Sequence, residues 1–243
     1  MVEYRATFYD YTSAGSEHSA ASIVALLGPE LSIRSVVDFG CAEGVWLSAW
    51  RAAGVSNIHG VDGPWVNTDR LKIAREEFTP ADLAQPISLQ RTFDLVQCLE
   101  AAEHLAPDAG PTLVATLVRH GTLVLFSAAP PGQGGENHTN ERPYEYWRAL
   151  FAERGFIPLD FVRPRLASNR AVQPWYRYNI LLFAHRDRVE QLPAPVRATA
   201  LGAADAITDV APRWYRVRRA LVGLLPPAAM NVVARMKARA STR

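Results

Sequence analysis

Between residues 20 and 185 the chain alternates short apolar runs rich in β-branched residues with longer segments whose apolar positions recur at helical spacing. "ASIVALLG" predicts a helix closed by Gly28, "SVVDFG" a strand, "GVWLSAWRAAG" a helix closed by Gly54, and "IHGVD" a second strand. "WVNTDRLKIA" has helical character, and a short strand is expected near "EEFTPADL". "FDLVQCL" then predicts a strand, "AGPTLVATLVRH" a helix and "GTLVLFSAA" another strand. Parallel neighbours need a crossover, and crossover helices cover both faces of a sheet, so the pattern predicts a doubly wound α/β sandwich with a mostly parallel sheet. Further on, "PPGQGGENHTNERP" reads as a loop and "YEYWRALFAERG" as a helix with Tyr146, Trp147 and Phe151 on its core face. "FIPLDFVR" and "WYRYNILLFAHR" read as late strands forming an antiparallel hairpin at the sheet edge. From Val189 the pattern turns helical and alanine-rich, cut into pieces by Pro193, Pro195, Pro212, Pro226 and Pro227.

Length and composition leave this picture intact and add one asymmetry. The 243 residues, 49% hydrophobic and 21% charged, suit one α/β domain with an appendage. No apolar stretch approaches the ~20 residues of a spanning helix, and the polar N-terminus does not read as a signal peptide, so a cytoplasmic protein is expected. Cys41 and Cys98 are expected to be free thiols. The net charge of +2 conceals eight basic residues and no acid in residues 211–243, against 18 basic and 24 acidic residues in 1–210. An acidic body carries a basic tail.

The richest stretch is "VVDFGCAEGVWL", a strand, a tight turn and a helix start that leave backbone open at the carboxyl edge of the sheet, the usual ligand crevice of such folds. The dinucleotide spacing G-x-G-x-x-G fails, since Ala42 and Val45 stand where glycines are needed after Gly40. The stretch resembles motif I of the class I S-adenosylmethionine-dependent methyltransferases, matching at Asp38, Gly40 and Gly44, with Ala42 replacing the middle glycine. The resemblance continues in order over roughly residues 30–185. Asp62 and Gly63 of "GVDG" fall where the family binds the ribose hydroxyls, Asp82 and Leu83 look like the pair flanking the adenine, and Leu99 ends the fourth strand beside the cofactor. It implies a Rossmann-like methyltransferase sandwich, with a lid or helix segment at 1–28, an S-adenosyl-L-methionine-binding domain at 29–188 and a helical basic extension at 189–243. Tyr9, Tyr11 and Ser13 fall where related enzymes carry a lid. Taken alone, Asp38 could cap a helix and Asp62 could start a turn.

The segment "LEAAEHL" follows the fourth strand and, as a helix, places Glu100, Glu103 and His104 on one face. Acids in a first helical turn also favour the helix dipole without any ligand. Their position, with His138 in the loop after the fifth strand, resembles the small-RNA terminal-ribose 2′-O-methyltransferases, whose E-x-x-E-H cluster and later histidine hold magnesium. The resemblance implies a metal set of Glu100, Glu103, His104 and His138, with Glu103, His104 and His138 catalytic. Two imidazoles suit Mg²⁺ less than Mn²⁺ or Zn²⁺. Without a metal, His104 or His138 would serve as general base.

The stretch P-G-Q-G-G...H-x-N-E, over 131–141, looks like bacterial methyltransferases of polysaccharide and glycoside pathways, among them the actinobacterial methylmannose polysaccharide type. The implied acceptor is a sugar or oligosaccharide hydroxyl, with Gln133, Asn140, Glu141 and Tyr144 as substrate-binding candidates. A phenol or natural-product sugar, an RNA ribose, and a degenerate fold that binds a partner through its tail are the alternatives. No nucleic acid is expected, because the body is acidic. The tail could pack on the body or a second subunit, or lie peripherally on an anionic membrane.

Overall fold

The computed structural model describes residues 6–226 together with 229, 230, 232 and 234; side chains are described from residue 15 onward. Its elements are α1 (Ala6–Leu27), β1 (Ser35–Phe39), α2 (Val45–Ala52), β2 (Asn57–Asp62), β3 (Phe78–Pro80), β4 (Leu95–Leu99), α3 (Gly110–Arg119), β5 (Leu123–Ser127), α4 (Tyr144–Ala152), β6 (Phe156–Leu159), α5 (Val162–Leu166), α6 (Pro174–Asn179), β7 (Leu181–His185), α7 (Arg186–Val189), α8 (Ala194–Arg197) and α9 (Arg213–Val222). Among the described residues one seven-stranded sheet forms, ordered β3-β2-β1-β4-β5-β7-β6. β1 to β5 run parallel and β7 pairs antiparallel with both β5 and β6. The Rossmann-like sandwich is therefore present.

Every residue of β1, β4 and β5 is buried, as strands covered by helices on both faces must be. One face is filled by Ile23 and Leu27 of α1, Leu47 and Trp50 of α2, and Val162 and Tyr176 from the α5–α6 region. The other carries Leu113 and Leu117 of α3 and Trp147 and Phe151 of α4, confirming their expected core face. Phe151 stacks on Phe183 at 4.1 Å, and Phe126 meets Phe151 edge-on at 5.4 Å. Cys41 and Cys98 are buried free thiols.

Three local expectations are corrected. "WVNTDRLKIA" is not an α-helix. It forms a 3-10 turn at Thr68–Arg70, because the Asn67 side chain accepts from the Asp69 N–H and closes a turn instead. The late antiparallel pair is not a hairpin, since α5 and α6 lie between β6 and β7. Asp160 grips Arg163 through two 2.8 Å bonds where the first helix starts, and Pro174 opens the second. Finally, "LEAAEHL" is not an α-helix; only Ala102–His104 form a 3-10 turn, and Glu100 stands outside it with φ of 51°. The backbone of the lid candidate continues α1, whereas the side chains of Tyr9, Tyr11 and Ser13 lie outside the described residues.

Candidate active site

Strand register builds the first half of the site. Asp38 stands opposite Gln97 on β4, so Gln97 Nε2 donates to Asp38 Oδ2 at 3.1 Å while Trp50 Nε1 donates to Gln97 Oε1 at 3.1 Å. Burial, then the charge of Asp62, push the Asp38 carboxyl up to about 8, against the hydrogen bond from Gln97. Beyond β1 the turn alternates left-handed residues, with φ of 90° at Gly40, 48° at Ala42 and 82° at Gly44. Gly40 is required twice over: a Cβ there would lie 2.5 Å from that of Ala101. Asp62 ties the turn to β2, accepting from Ala42 N at 2.7 Å and Gly63 N at 2.6 Å. Each Asp62 oxygen retains a lone pair, so the carboxylate can still accept a diol. Leu83 and Leu99 are buried, and the Leu83 side chain lies near Gly40, whereas Asp82 is exposed and accepts from Ala84 N at 2.9 Å. The residues of the expected cofactor crevice thus meet at one edge of β1, β2 and β4.

The second half is a cluster of acids and imidazoles at the carboxyl ends of β4 and β5. One ligand atom each of Glu103, His104 and His138 lies within 4.8 Å of the others. Glu103 is fully buried, and neither carboxylate oxygen has a well-formed hydrogen bond among the described residues, although the N–H groups of Glu103 and Ala129 lie near it. Burial and the nearby Glu100 hold its carboxyl well above the usual range. His104 is pushed down to about 3 by desolvation and by His138, and a ring nitrogen of His104 bonds the Asn137 carbonyl. His138 Nδ1 bonds Glu141 Oε1 at 2.8 Å, which leaves Nε2 as the nitrogen available to a ligand or proton. The two rings meet edge to face at 4.9 Å.

These contacts fit a divalent cation: two imidazoles whose second nitrogens are engaged elsewhere, beside a carboxylate with open lone pairs. Of the four expected ligands, Glu103, His104 and His138 converge and Glu100 is engaged by other partners. The Glu100 carboxylate, on a left-handed residue just before the 3-10 turn, accepts from Gln133 Nε2 at 2.6 Å and Asn179 Nδ2 at 3.3 Å. One oxygen donor and two nitrogen donors suit Mn²⁺ or Zn²⁺ better than Mg²⁺.

The four substrate-binding candidates are turned largely inward. Glu141 accepts from Gly132 N at 2.7 Å and Gly134 N at 2.8 Å as well as from His138, so the P-G-Q-G-G loop is a cradle for the chain's own carboxylate. Burial works to raise the Glu141 pKa, but these donors outweigh it and hold the group below its ordinary value. Asn140 donates to Ala102 O at 3.3 Å and accepts from Arg142 Nε at 2.8 Å, fastening the loop to the 3-10 turn. Gln133 and Tyr144 meet at Asn179, with Asn179 Nδ2 donating to Gln133 Oε1 at 2.8 Å and the Tyr144 hydroxyl to Asn179 Oδ1 at 2.9 Å. Asn179 was absent from the sequence-derived set. Its signal was a buried amide at the mouth of the apolar strand "ILLFA".

A helix covers this loop. Gly132 has φ of 80°, and a Cβ there would lie 2.2 Å from the Arg219 carbonyl on α9. Arg218 Nη1 donates to Gln133 O at 3.2 Å, and Arg219 pairs with Asp209.

A parallel sheet with a glycine turn after its first strand and a carboxylate ending its second defines an α/β protein that binds a nucleoside-bearing ligand at its carboxyl edge. The methyltransferase-domain family matches residues 11–164, and the chain belongs to it. It is an S-adenosylmethionine-dependent methyltransferase. Solved structures share the fold. The magnesium protoporphyrin IX methyltransferase of Synechocystis PCC 6803, with S-adenosylmethionine bound, is 19% identical with a TM-score of 0.50, over 71% of this chain and 80% of that one. The methyltransferase domain of a bacterial CtHen1 is 16% identical with a TM-score of 0.52, over 70% and 98%. A sugar N-methyltransferase from a Streptoalloteichus species is 18% identical with a TM-score of 0.50, over 72% and 88%. Among curated proteins none matches the chain.

Proposed function

We propose that this enzyme methylates a hydroxyl of a sugar or oligosaccharide, assisted by a divalent cation held by Glu103, His104 and His138. The observation that carries the reading is the buried Glu103 carboxylate, neither oxygen with a well-formed hydrogen bond among the described residues, beside two imidazoles oriented by Asn137 and Glu141. A bound cation would lower the pKa of an acceptor hydroxyl. Asp38 and Asp62 set the cofactor in the crevice, and the buried Glu100–Gln133–Asn179 network holds the loop that borders the acceptor side in place. The hydroxyl oxygen attacks the methyl carbon of the sulfonium as the carbon–sulfur bond breaks. S-adenosylhomocysteine leaves as a neutral thioether, and the hydroxyl proton passes to solvent, since a cation would occupy the free nitrogen of each histidine.

Without a cation on the cluster, His138 Nε2 would take the proton, its ring oriented by Glu141 at Nδ1, whereas the surroundings of His104 oppose its charge. The sugar N-methyltransferase that shares the fold is consistent with a glycoside acceptor. The acidic body disfavours an RNA acceptor.

Methyl transfer to mannosides and partially methylated sugars should be abolished by EDTA and restored by Mn²⁺ or Zn²⁺. Full activity in chelator would leave His138 alone as general base. Turnover of phenols with none of sugars would overturn the acceptor class.

A further inference from the structure

The two sides of α9 differ in kind. Its inner side belongs to the molecule: Tyr215 is buried with its ring tilted against Tyr178 at 5.5 Å between centroids, Arg219 pairs with Asp209, and Arg218 holds the Gln133 carbonyl. Its outer side carries Trp214, Val217 and Leu221, exposed to 63%, 59% and 62%, and Leu224, 80% exposed, follows just beyond its end. At ~100° per residue the three on the helix share an arc of roughly 60°. Exposed Arg213 and Arg216 lie along one flank of that arc and Arg218 along the other. Residues 211–243 hold eight basic residues and no acid, of which Arg235, Lys237, Arg239 and Arg243 lie outside the described residues.

An exposed aromatic and aliphatic stripe between arginines is what a helix lying flat in a lipid headgroup layer requires: apolar side chains enter the acyl boundary and guanidinium groups meet lipid phosphates. A second copy of this chain is a poorer occupant, because a two-fold contact through the stripe would set like arginines against each other. No helix among the described residues is long and apolar enough to cross a membrane, so a helix lying in the plane of the surface is the arrangement left to this stripe.

We propose that α9 seats the enzyme on an anionic lipid bilayer, with Trp214, Val217, Leu221 and Leu224 in the interface and Arg213 and Arg216 on lipid phosphates. Since the inner side of α9 rests on the loop bearing Gln133, this orientation turns the carboxyl edge of the sheet, and with it the acceptor site, toward the surface. The enzyme then meets acceptors at the bilayer and not only in bulk solution.

The test is flotation of the full chain with phosphatidylcholine vesicles containing or lacking phosphatidylglycerol. Binding should require the anionic lipid and weaken in high salt. Arg213→Gln with Arg216→Gln should weaken it about tenfold to thirtyfold, and Trp214→Ser with Leu221→Ser by about tenfold or more. Both double variants should bind S-adenosylhomocysteine and unfold as the parent does, because these side chains lie outside the crevice. Equal partition into both vesicle types, or parent-like binding by the Trp214/Leu221 variant, would overturn the proposal. So would a dimer in light scattering that dissociates on Leu221→Ser without any vesicle binding. None of these outcomes bears on methyl transfer to a soluble sugar, which keeps the acceptor reading separate.

Discussion

The turn at residues 40–44 and the cluster at residues 100–141 both lie on the carboxyl edge of one sheet, yet they are finished to different degrees. In the turn, the Asp62 carboxylate is occupied by two backbone N–H groups and Asp38 by Gln97, so the shape exists before any ligand arrives. In the cluster, hydrogen bonds fix the imidazoles from behind and leave the buried Glu103 carboxylate without a well-formed hydrogen bond among the described residues. A pocket that must recognise one invariant cofactor can be built of backbone. A reaction centre must keep lone pairs in reserve for what it will bind or deprotonate, and bears the desolvation cost meanwhile.

The largest effect expected from breaking this contrast is at Glu103. Glu103→Gln keeps the shape and removes the carboxylate a cation would need, so turnover should fall about a thousandfold while S-adenosylhomocysteine affinity stays near that of the parent. The thermal midpoint should hold or rise, because a buried carboxyl without well-formed hydrogen bonds is replaced by an amide. Activity within tenfold of the parent would remove Glu103 from the reaction centre.

Next in size is the pH response of the crevice. Asp38 titrates at about 8 in the folded chain against an ordinary value of 3.8. Its contribution to stability is therefore complete below about pH 4 and is lost as the pH rises through 8, because the folded state must then bury the charge. The stability difference between the parent and Asp38→Asn, followed by denaturant unfolding without ligand, should shift by a few kcal/mol across that window, in favour of the variant at high pH. Parallel curves for the two proteins would show that Asp38 is not desolvated.

The smallest effect sharpens the comparison at Ala42, which holds φ of 48° where relatives of motif I carry glycine. Glycine relieves roughly 1 kcal/mol of left-handed strain but adds a similar unfolded-state entropy. Ala42→Gly should accordingly leave both thermal stability and S-adenosylhomocysteine binding nearly unchanged. A marked loss of either would mean that the Ala42 methyl packs against the crevice.

Residues near the first two strands were readable because local rules govern them. Asp38, Gly40, Asp62 and Gly63 sit at strand ends whose positions follow from β-branched runs, and a strand end in a parallel sheet is already a place in space. The convergence of Glu103, His104 and His138 is legible from their places after the fourth and fifth strands, whereas the place of Glu100 is not. Glu100 was assigned to a helix face, but its backbone turns left-handed as its N–H bonds Ser127 on β5, and that long-range bond has no local signature. Asn179 was missed for the same reason: it is 79 residues from Glu100, and only the antiparallel insertion of β7 beside β5 brings it there. Asn140 and Glu141 read as substrate-binding candidates, whereas the glycine N–H groups engage Glu141 and the Ala102 carbonyl engages Asn140.

By itself the sequence determined the layered α/β fold, the parallel order of strands and the carboxylates at their ends, because hydrophobic period, glycine placement and crossover geometry act over short separations. Tertiary structure alone decided which lone pairs stay open. It closed Glu141, Asn140 and Glu100 into hydrogen bonds, left Glu103 beside His104 and His138, and laid α9 over the loop with its apolar stripe outward. Those outcomes depend on which distant donors and acceptors come within 3 Å of one another, a matter of packing that residue spacing along the chain does not encode.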